Sequence, residues 1–111
     1  MKSREQLVLG ALHELGVVAS GQSAEAEDAQ TVDAMVEPMF ANLATREVWQ
    51  WGDPDQIDDD AFIHLAKWLA NAVARPFGAT PDENVRLLAE QSLRELKPIF
   101  LSGQPQTTEY F

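Results

Sequence analysis

The sequence predicts an all-α domain, a four-helix bundle with an irregular segment between the second and third helices and an extended C-terminal tail. Three observations support this prediction. Apolar residues recur at helical spacing in four segments, capping residues precede the segments, and glycine or proline follows three of them. With 111 residues, 45% of them hydrophobic, the chain is long enough for one domain with a modest core. We assign residues 1–97 to the helical domain and residues 98–111 to the tail.

The first two predicted helices have clear boundary signals. The first begins after Ser3, which has capping-box spacing to Gln6, and it ends before Gly16, where a left-handed cap is needed. The second begins at Ser23, a good N-cap. Pro38 lies within the second helix and removes a backbone hydrogen bond, so we expect a kink or an early end at this position.

The last two helices follow an irregular segment, expected over residues 46–57. The third helix spans about residues 59–75, and the fourth opens with Thr80 as its N-cap and ends at Pro98. On the fourth helix, charges of alternating sign step by four, which favours an exposed charged face made by Asp82, Arg86, Glu90 and Arg94. The residues expected to face inward are Val85, Leu88, Ala89, Ser92 and Leu96.

The third helix is apolar around most of its circumference. Its polar residues His64, Lys67 and Asn71 form one narrow stripe, which Arg75 continues. Such a helix is normally the buried centre of a larger helical assembly, and surplus apolar surface indicates a partner. The stripe is therefore a subunit contact, a line facing a channel, or an ordinary solvent-facing strip.

The three tryptophans are core residues or interface anchors, because tryptophan is enriched in both settings. We predict a subunit interface that combines them with the polar stripe. Its residues are Trp49, Trp51, His64, Lys67, Trp68, Asn71 and Arg75.

The formal net charge of −10 is concentrated in residues 21–60, where eleven acidic residues accompany one basic residue, Arg46. Such a segment opposes general affinity for nucleic acids, which requires lysine and arginine. It is either a solvated surface or a surface that repels DNA, mimics DNA or contacts a basic partner. The acidic residues expected at a DNA channel are Asp53, Asp55, Asp58, Asp59 and Asp60.

No residue pattern indicates catalysis, a metal or a cofactor. The aspartates of residues 53–60 fail the spacing of a calcium loop, and His13 and His64 belong to no zinc motif. Serine-nucleophile, P-loop and dinucleotide signatures are absent from the sequence. We therefore expect a protein that is not an enzyme. The absence of cysteine suits a cytoplasmic product, and the sequence gives no sign of a secretion signal or a membrane span.

Residues 98–111 show no helical or strand periodicity. The tail is either a frayed end or a docking peptide, and two large aromatic residues at its end favour docking. The predicted docking residues are Ile99, Phe100, Leu101, Tyr110 and Phe111.

Five short motifs, in their order along the chain, resemble the head-to-tail adaptor family of tailed bacteriophages, also known as podoviral tail accessory factors. The resemblance covers about residues 5–97. Its motifs are Leu7-Val8-x-x-Ala11-Leu12-x-x-Leu15-Gly16-Val17, Gly21-Gln22-x-Ala24-Glu25-x-x-Asp28-Ala29, Ala61-Phe62-x-x-Leu65-Ala66, Ala74-Arg75-Pro76-Phe77-Gly78 and Thr80-Pro81.

The resemblance implies a structural neck protein of the virion, made in the host cytoplasm. Its expected partners are the portal protein, further copies of itself in a ring that usually has twelve subunits, and a downstream tail or stopper protein. Double-stranded DNA would pass through the ring without specific binding, and the C-terminal tail would engage the portal. The chain lacks the family's long insertion between the second and third helices, and its tail is short. The alternative function is an acidic regulatory or DNA-mimic protein that binds a basic partner.

Overall fold

The computed structural model describes residues 1–18, 25–49 and 55–101, with side chains described up to Leu96. Within this part the chain is mostly helical and has no strand, so the all-α prediction is confirmed. The helices are α1 (Arg4–Glu14), α2 (Ala26–Asp33), α3 (Val36–Thr45), α4 (Asp59–Ala72) and α5 (Glu83–Leu101), with a 3-10 turn at Arg75–Phe77.

Helix α1 has the ends that its sequence predicts. The Ser3 hydroxyl accepts a hydrogen bond from the backbone N–H of Gln6, and the Gln6 side chain accepts one from the N–H of Ser3. At the other end Gly16 adopts a left-handed conformation with φ of 76°, and the N–H of Val17 bonds to the Leu12 carbonyl. This pairing is that of a Schellman cap.

The second predicted helix is divided into α2 and α3. The break lies at Ala34 and Met35, one turn before Pro38, the residue at which we expected a kink. Pro38 consequently becomes the third residue of α3. Backbone N–H groups in the first turn of a helix have no partner within the helix, so proline costs no hydrogen bond at this position.

Helix α4 is the central element and packs against α1 on one side and α5 on the other. It contributes six buried residues to the core, and α1 contributes four. The two helices approach closely at Gly10, where a Cβ atom would lie 3.1 Å from Phe62 Cζ and 3.5 Å from the Ala66 Cβ atom. Glycine therefore sets the spacing between α1 and α4.

The described parts of the segment between α3 and α4, residues 46–49 and 55–58, contain no helix or strand, as predicted. Val48 and Trp49 follow α3 into the core, and both backbone N–H groups bond to the Leu43 carbonyl. Near α4, Ile57 is buried and exchanges two backbone hydrogen bonds of 2.8 Å with Lys2. These contacts attach both described ends of the segment to the bundle.

Helix α5 begins later and ends later than its sequence predicts. Thr80 is not its cap: the Asp82 carboxylate instead accepts the N–H of Asn84 at 2.9 Å, and the helix starts at Glu83. Its backbone continues through Pro98 to Leu101, so the predicted stop at Pro98 is wrong. Proline lacks the N–H that would bond to the carbonyl of Arg94, an exposed residue, and the helix continues without this bond.

Candidate functional site

A groove of about 510 Å³ lies over α4, between the C-terminal end of α1 and the first half of α5. The floor is formed by Lys67, Ala70 and Asn71 of α4 and by Ala74, the residue that follows its C-cap. Leu15 and Glu14 stand at the α1 side. The α5 side and the adjoining loop contribute Ala79, Thr80, Asp82, Val85, Leu88, Ala89 and Ser92.

The polar stripe of the third predicted helix lies in this groove. His64, Lys67 and Asn71 all line it, whereas Arg75 is exposed in the 3-10 turn beyond α4. The Asn71 side-chain carbonyl accepts the backbone N–H of Asp82 at 2.7 Å, which fixes the start of α5 against the end of α4. The stripe is therefore the polar floor of a groove with largely apolar walls.

Partial burial lowers the pKa of His64, and the charge of nearby Lys67 lowers it further, although Glu95 acts in the opposite direction. His64 is consequently neutral at pH 7, and Lys67 supplies the positive charge of the groove floor.

Helix α5 exposes leucines on its outer surface. Leu88 is 64% exposed and Leu87 is 49% exposed, and Ile63 of α4 is also half exposed. Val85 and Leu88 were expected to face inward, which is wrong, because both are exposed. Ala89 is buried as predicted, and Leu93 enters the core beside it. The surface of α5 therefore carries apolar side chains that the described residues leave about half exposed or more.

The rotation of α5 buries Glu90, which is only 1% exposed and does not lie on the charged surface face predicted for it. Its carboxylate accepts hydrogen bonds from Arg46 at 3.1 and 2.5 Å, from Arg86 at 2.8 Å and from the indole N–H of Trp68 at 2.8 Å. Arg86 also pairs with Glu83. One carboxylate thus joins α5 to α4 and to the C-terminal end of α3.

Burial alone would raise the pKa of Glu90, but the hydrogen bonds from Arg46, Trp68 and Arg86 outweigh it and lower the pKa to about 2. Glu90 is therefore ionised throughout the physiological range. Because every donor that reaches it belongs to the fold, the cluster is a structural connection between helices.

Two of the tryptophans assigned to the predicted subunit interface lie in the core instead. Trp49 is 1% exposed, and Trp68 is buried with its indole bonded to Glu90, so both are core residues of this chain. Their large apolar rings are covered by the bundle itself, and the interface assignment is wrong for them. Trp51 lies outside the described residues.

The acidic residues near α4 are largely at the surface. Asp55, Asp59 and Asp60 are exposed and Asp58 is half-buried, while Asp53 lies outside the described residues. Asp58 occupies the N-cap position of α4, but its side chain makes no capping hydrogen bond.

Two carboxylates of the acidic segment are paired with a single arginine of α1. Arg4 bonds to Asp33 at 2.7 Å and to Glu37 at 3.0 Å, and these carboxylates raise the pKa of Arg4. Arg4 thereby ties α1 to α2 and α3.

The predicted tail residues fall into two groups. Ile99, Phe100 and Leu101 lie on the last turn of α5, so the prediction of an extended backbone is wrong for them, because the helix continues past Pro98. Tyr110 and Phe111 lie outside the described residues.

The buried Glu90 cluster and the exposed Leu87 were missed by reasoning from the sequence. The spacing of Ala89, Leu93 and Leu96 defines one apolar line on α5, but Val85 and Leu88 define a competing one, so the spacing alone does not select the buried face. The isolated Arg46 in an otherwise acidic segment was a signal, because a lone cation among acids is a candidate for a specific pair.

Comparisons with protein-family models, with curated proteins and with solved structures find no match to this chain. Among residues 1–18, 25–49 and 55–101, no three acidic or histidine side chains are grouped so that they could hold a metal ion. No helix in the same part of the chain has the length and apolar character needed to cross a bilayer.

Proposed function

We propose that this protein is a structural head-to-tail adaptor of a tailed bacteriophage, which docks as a ring on the portal and continues the DNA channel towards a downstream tail or stopper protein. The observation that carries the proposal is the half-exposed apolar surface of α5 beside a groove with a polar floor. A small domain that exposes leucines next to a groove is suited to binding another protein.

The distribution of charge supports passage of DNA without specific binding. In the described part of residues 21–60 the exposed acids include Glu25, Glu27, Asp55, Asp59 and Asp60. Arg46, the one basic residue of this segment, is bonded to Glu90. A surface of this kind repels phosphates, which suits the lining or rim of a channel through which DNA slides.

The resemblance to neck proteins supplies the identity of the partners. The proposed docking element for the portal is the C-terminal segment 98–111, with Ile99, Phe100, Leu101, Tyr110 and Phe111.

The same exposed acids favour one competing function, an acidic regulator or DNA mimic that binds a basic partner. The two functions differ in assembly. A regulator stays a monomer or dimer and has no affinity for portal, whereas an adaptor subunit joins portal particles in several copies.

Analytical ultracentrifugation of the chain with and without its cognate portal protein tests the proposal. We expect co-sedimentation at micromolar concentrations, with a constant number of copies per portal. A chain that does not co-sediment with portal at these concentrations contradicts the adaptor function.

A further inference from the structure

We infer that the groove over α4 receives one face of α5 from a second copy of this chain, the face that carries Glu83, Leu87 and Arg94. In this arrangement Leu87 of the second copy lies over Lys67. This inference rests on the proposed function, in which copies of the chain bind one another in a ring. Each subunit of a closed ring must present two different, complementary surfaces on different sides. The groove is one such surface, and the stripe containing Leu87 is the other.

The two surfaces lie on different flanks of α5. Val85, Leu88 and Ser92 line the groove, but Leu87 does not. At about 100° per residue, Leu87 points roughly 140° away from Ser92 around the helix axis. One copy can therefore present Leu87 to a neighbour while its own groove receives the Leu87 of another neighbour.

The spacing of charges on the two surfaces matches. On α4, Lys67 and Asn71 line the groove and Asp60 lies outside it, nearer the start of the helix; Asp60, Lys67 and Asn71 advance by seven and then four residues. On α5 the stripe Glu83, Leu87 and Arg94 advances by four and then seven residues, so an antiparallel arrangement aligns the two.

With Leu87 over Lys67, the partner's Arg94 lies beside Asp60, about 10 Å along the helix, because each residue advances about 1.5 Å. The partner's Glu83 falls one turn beyond Lys67, at the level of Asn71, between the positive charges of Lys67 and Arg75. Asp60, Lys67, Arg75 and Arg94 are all exposed, and Glu83 is exposed while it pairs with Arg86.

The groove also suits the apolar part of such a stripe. The walls beside Lys67 include Leu15, Val85 and Leu88, and the floor includes Ala70 and Ala74. A leucine inserted between them would lose its exposure and cover Leu88 as well. An amphipathic helix that places its apolar residue in a groove is a common mode of protein recognition.

Disulfide trapping tests the inference, because the chain contains no native cysteine. Lys67→Cys and Leu87→Cys are made as separate variants and mixed under mild oxidation, both free and with portal. A disulfide forms only when two Cα atoms come within about 7 Å. We expect the mixed Lys67–Leu87 dimer to form several-fold faster than either same-variant dimer.

The control is Gln30→Cys, an exposed position on α2 outside both surfaces. The inference is overturned if the Lys67–Leu87 dimer is no more abundant than the dimer of Gln30→Cys with Leu87→Cys. It is also overturned if same-variant dimers dominate. Portal binding without the Lys67–Leu87 crosslink overturns the inference while leaving the adaptor function intact. The crosslink without portal binding contradicts the adaptor function and leaves this inference intact.

A charge exchange gives an independent readout. Asp60→Arg and Arg94→Glu should each weaken crosslinking of the cysteine pair by placing like charges together. Combining both substitutions in every chain should restore it, since the pair is then reversed. Failure of the double variant to recover relative to the single variants contradicts the proposed alignment.

Discussion

Replacing Glu90 by glutamine should destabilise the bundle by about 3 kcal/mol, the lower end of the range for breaking a buried ion pair. Water compensates part of the lost charge at Arg46 and Arg86, because both side chains are about a third exposed. It does not do so at the indole of Trp68, which is buried. Glutamine keeps the shape and one acceptor of glutamate but removes its charge. Urea denaturation at pH 7, followed by circular dichroism, measures the difference.

The pH dependence separates this effect from a loss of packing. The pKa of Glu90 falls from its ordinary value of 4.5 to about 2 in the folded chain. A carboxylate with a lowered folded pKa stabilises above its unfolded pKa, and this contribution disappears as the pH falls through the folded value. At 1.36 kcal/mol per pKa unit, the lowering amounts to about 3 kcal/mol.

The stability difference between the native chain and Glu90→Gln should therefore shrink between about pH 4.5 and pH 2. The matched control is Glu95→Gln, an exposed carboxylate on the same helix, which should change stability by less than about 0.5 kcal/mol. If Glu90→Gln resembles Glu95→Gln at pH 7, or if its difference from the native chain is independent of pH, the reasoning about the cluster is wrong.

Three further outcomes are expected. Gly10→Val should destabilise the chain by about 1–3 kcal/mol in urea denaturation, because its side chain would overlap Phe62, and an unchanged midpoint would contradict the close approach. Ser3→Ala should lower the free energy of unfolding by about 1 kcal/mol in the same assay, because it removes the capping bond to Gln6. An unchanged free energy of unfolding would contradict a stabilising role of the cap. Truncation after residue 102 should preserve the helical spectrum and the thermal midpoint while abolishing attachment to portal, and normal decoration of portal by the truncated chain would refute a docking role.

The helical architecture could be predicted from the sequence because its boundary signals are local. Ser3 and Gly16 act on backbone groups within one turn, so their roles do not depend on the tertiary structure. The same applies to the polar stripe of α4, whose spacing alone places His64, Lys67 and Asn71 on one face.

The rotation of α5 could not be predicted in this way. The line through Val85 and Leu88 and the line through Ala89 and Leu93 are both apolar, and packing against α4 selects between them. The burial of Glu90 depends on Arg46, which is distant in sequence, so spacing along one helix could not reveal it. The predicted end of the helix at Pro98 rested only on the low helix propensity of proline, whereas the helix continues past this residue.

A cryo-EM reconstruction of portal particles incubated with this chain tests the adaptor function most directly. The proposal predicts a ring of copies beneath the portal, coaxial with its channel, with acidic side chains towards the lumen. Portal particles that carry no added density, prepared at concentrations well above micromolar, would contradict it.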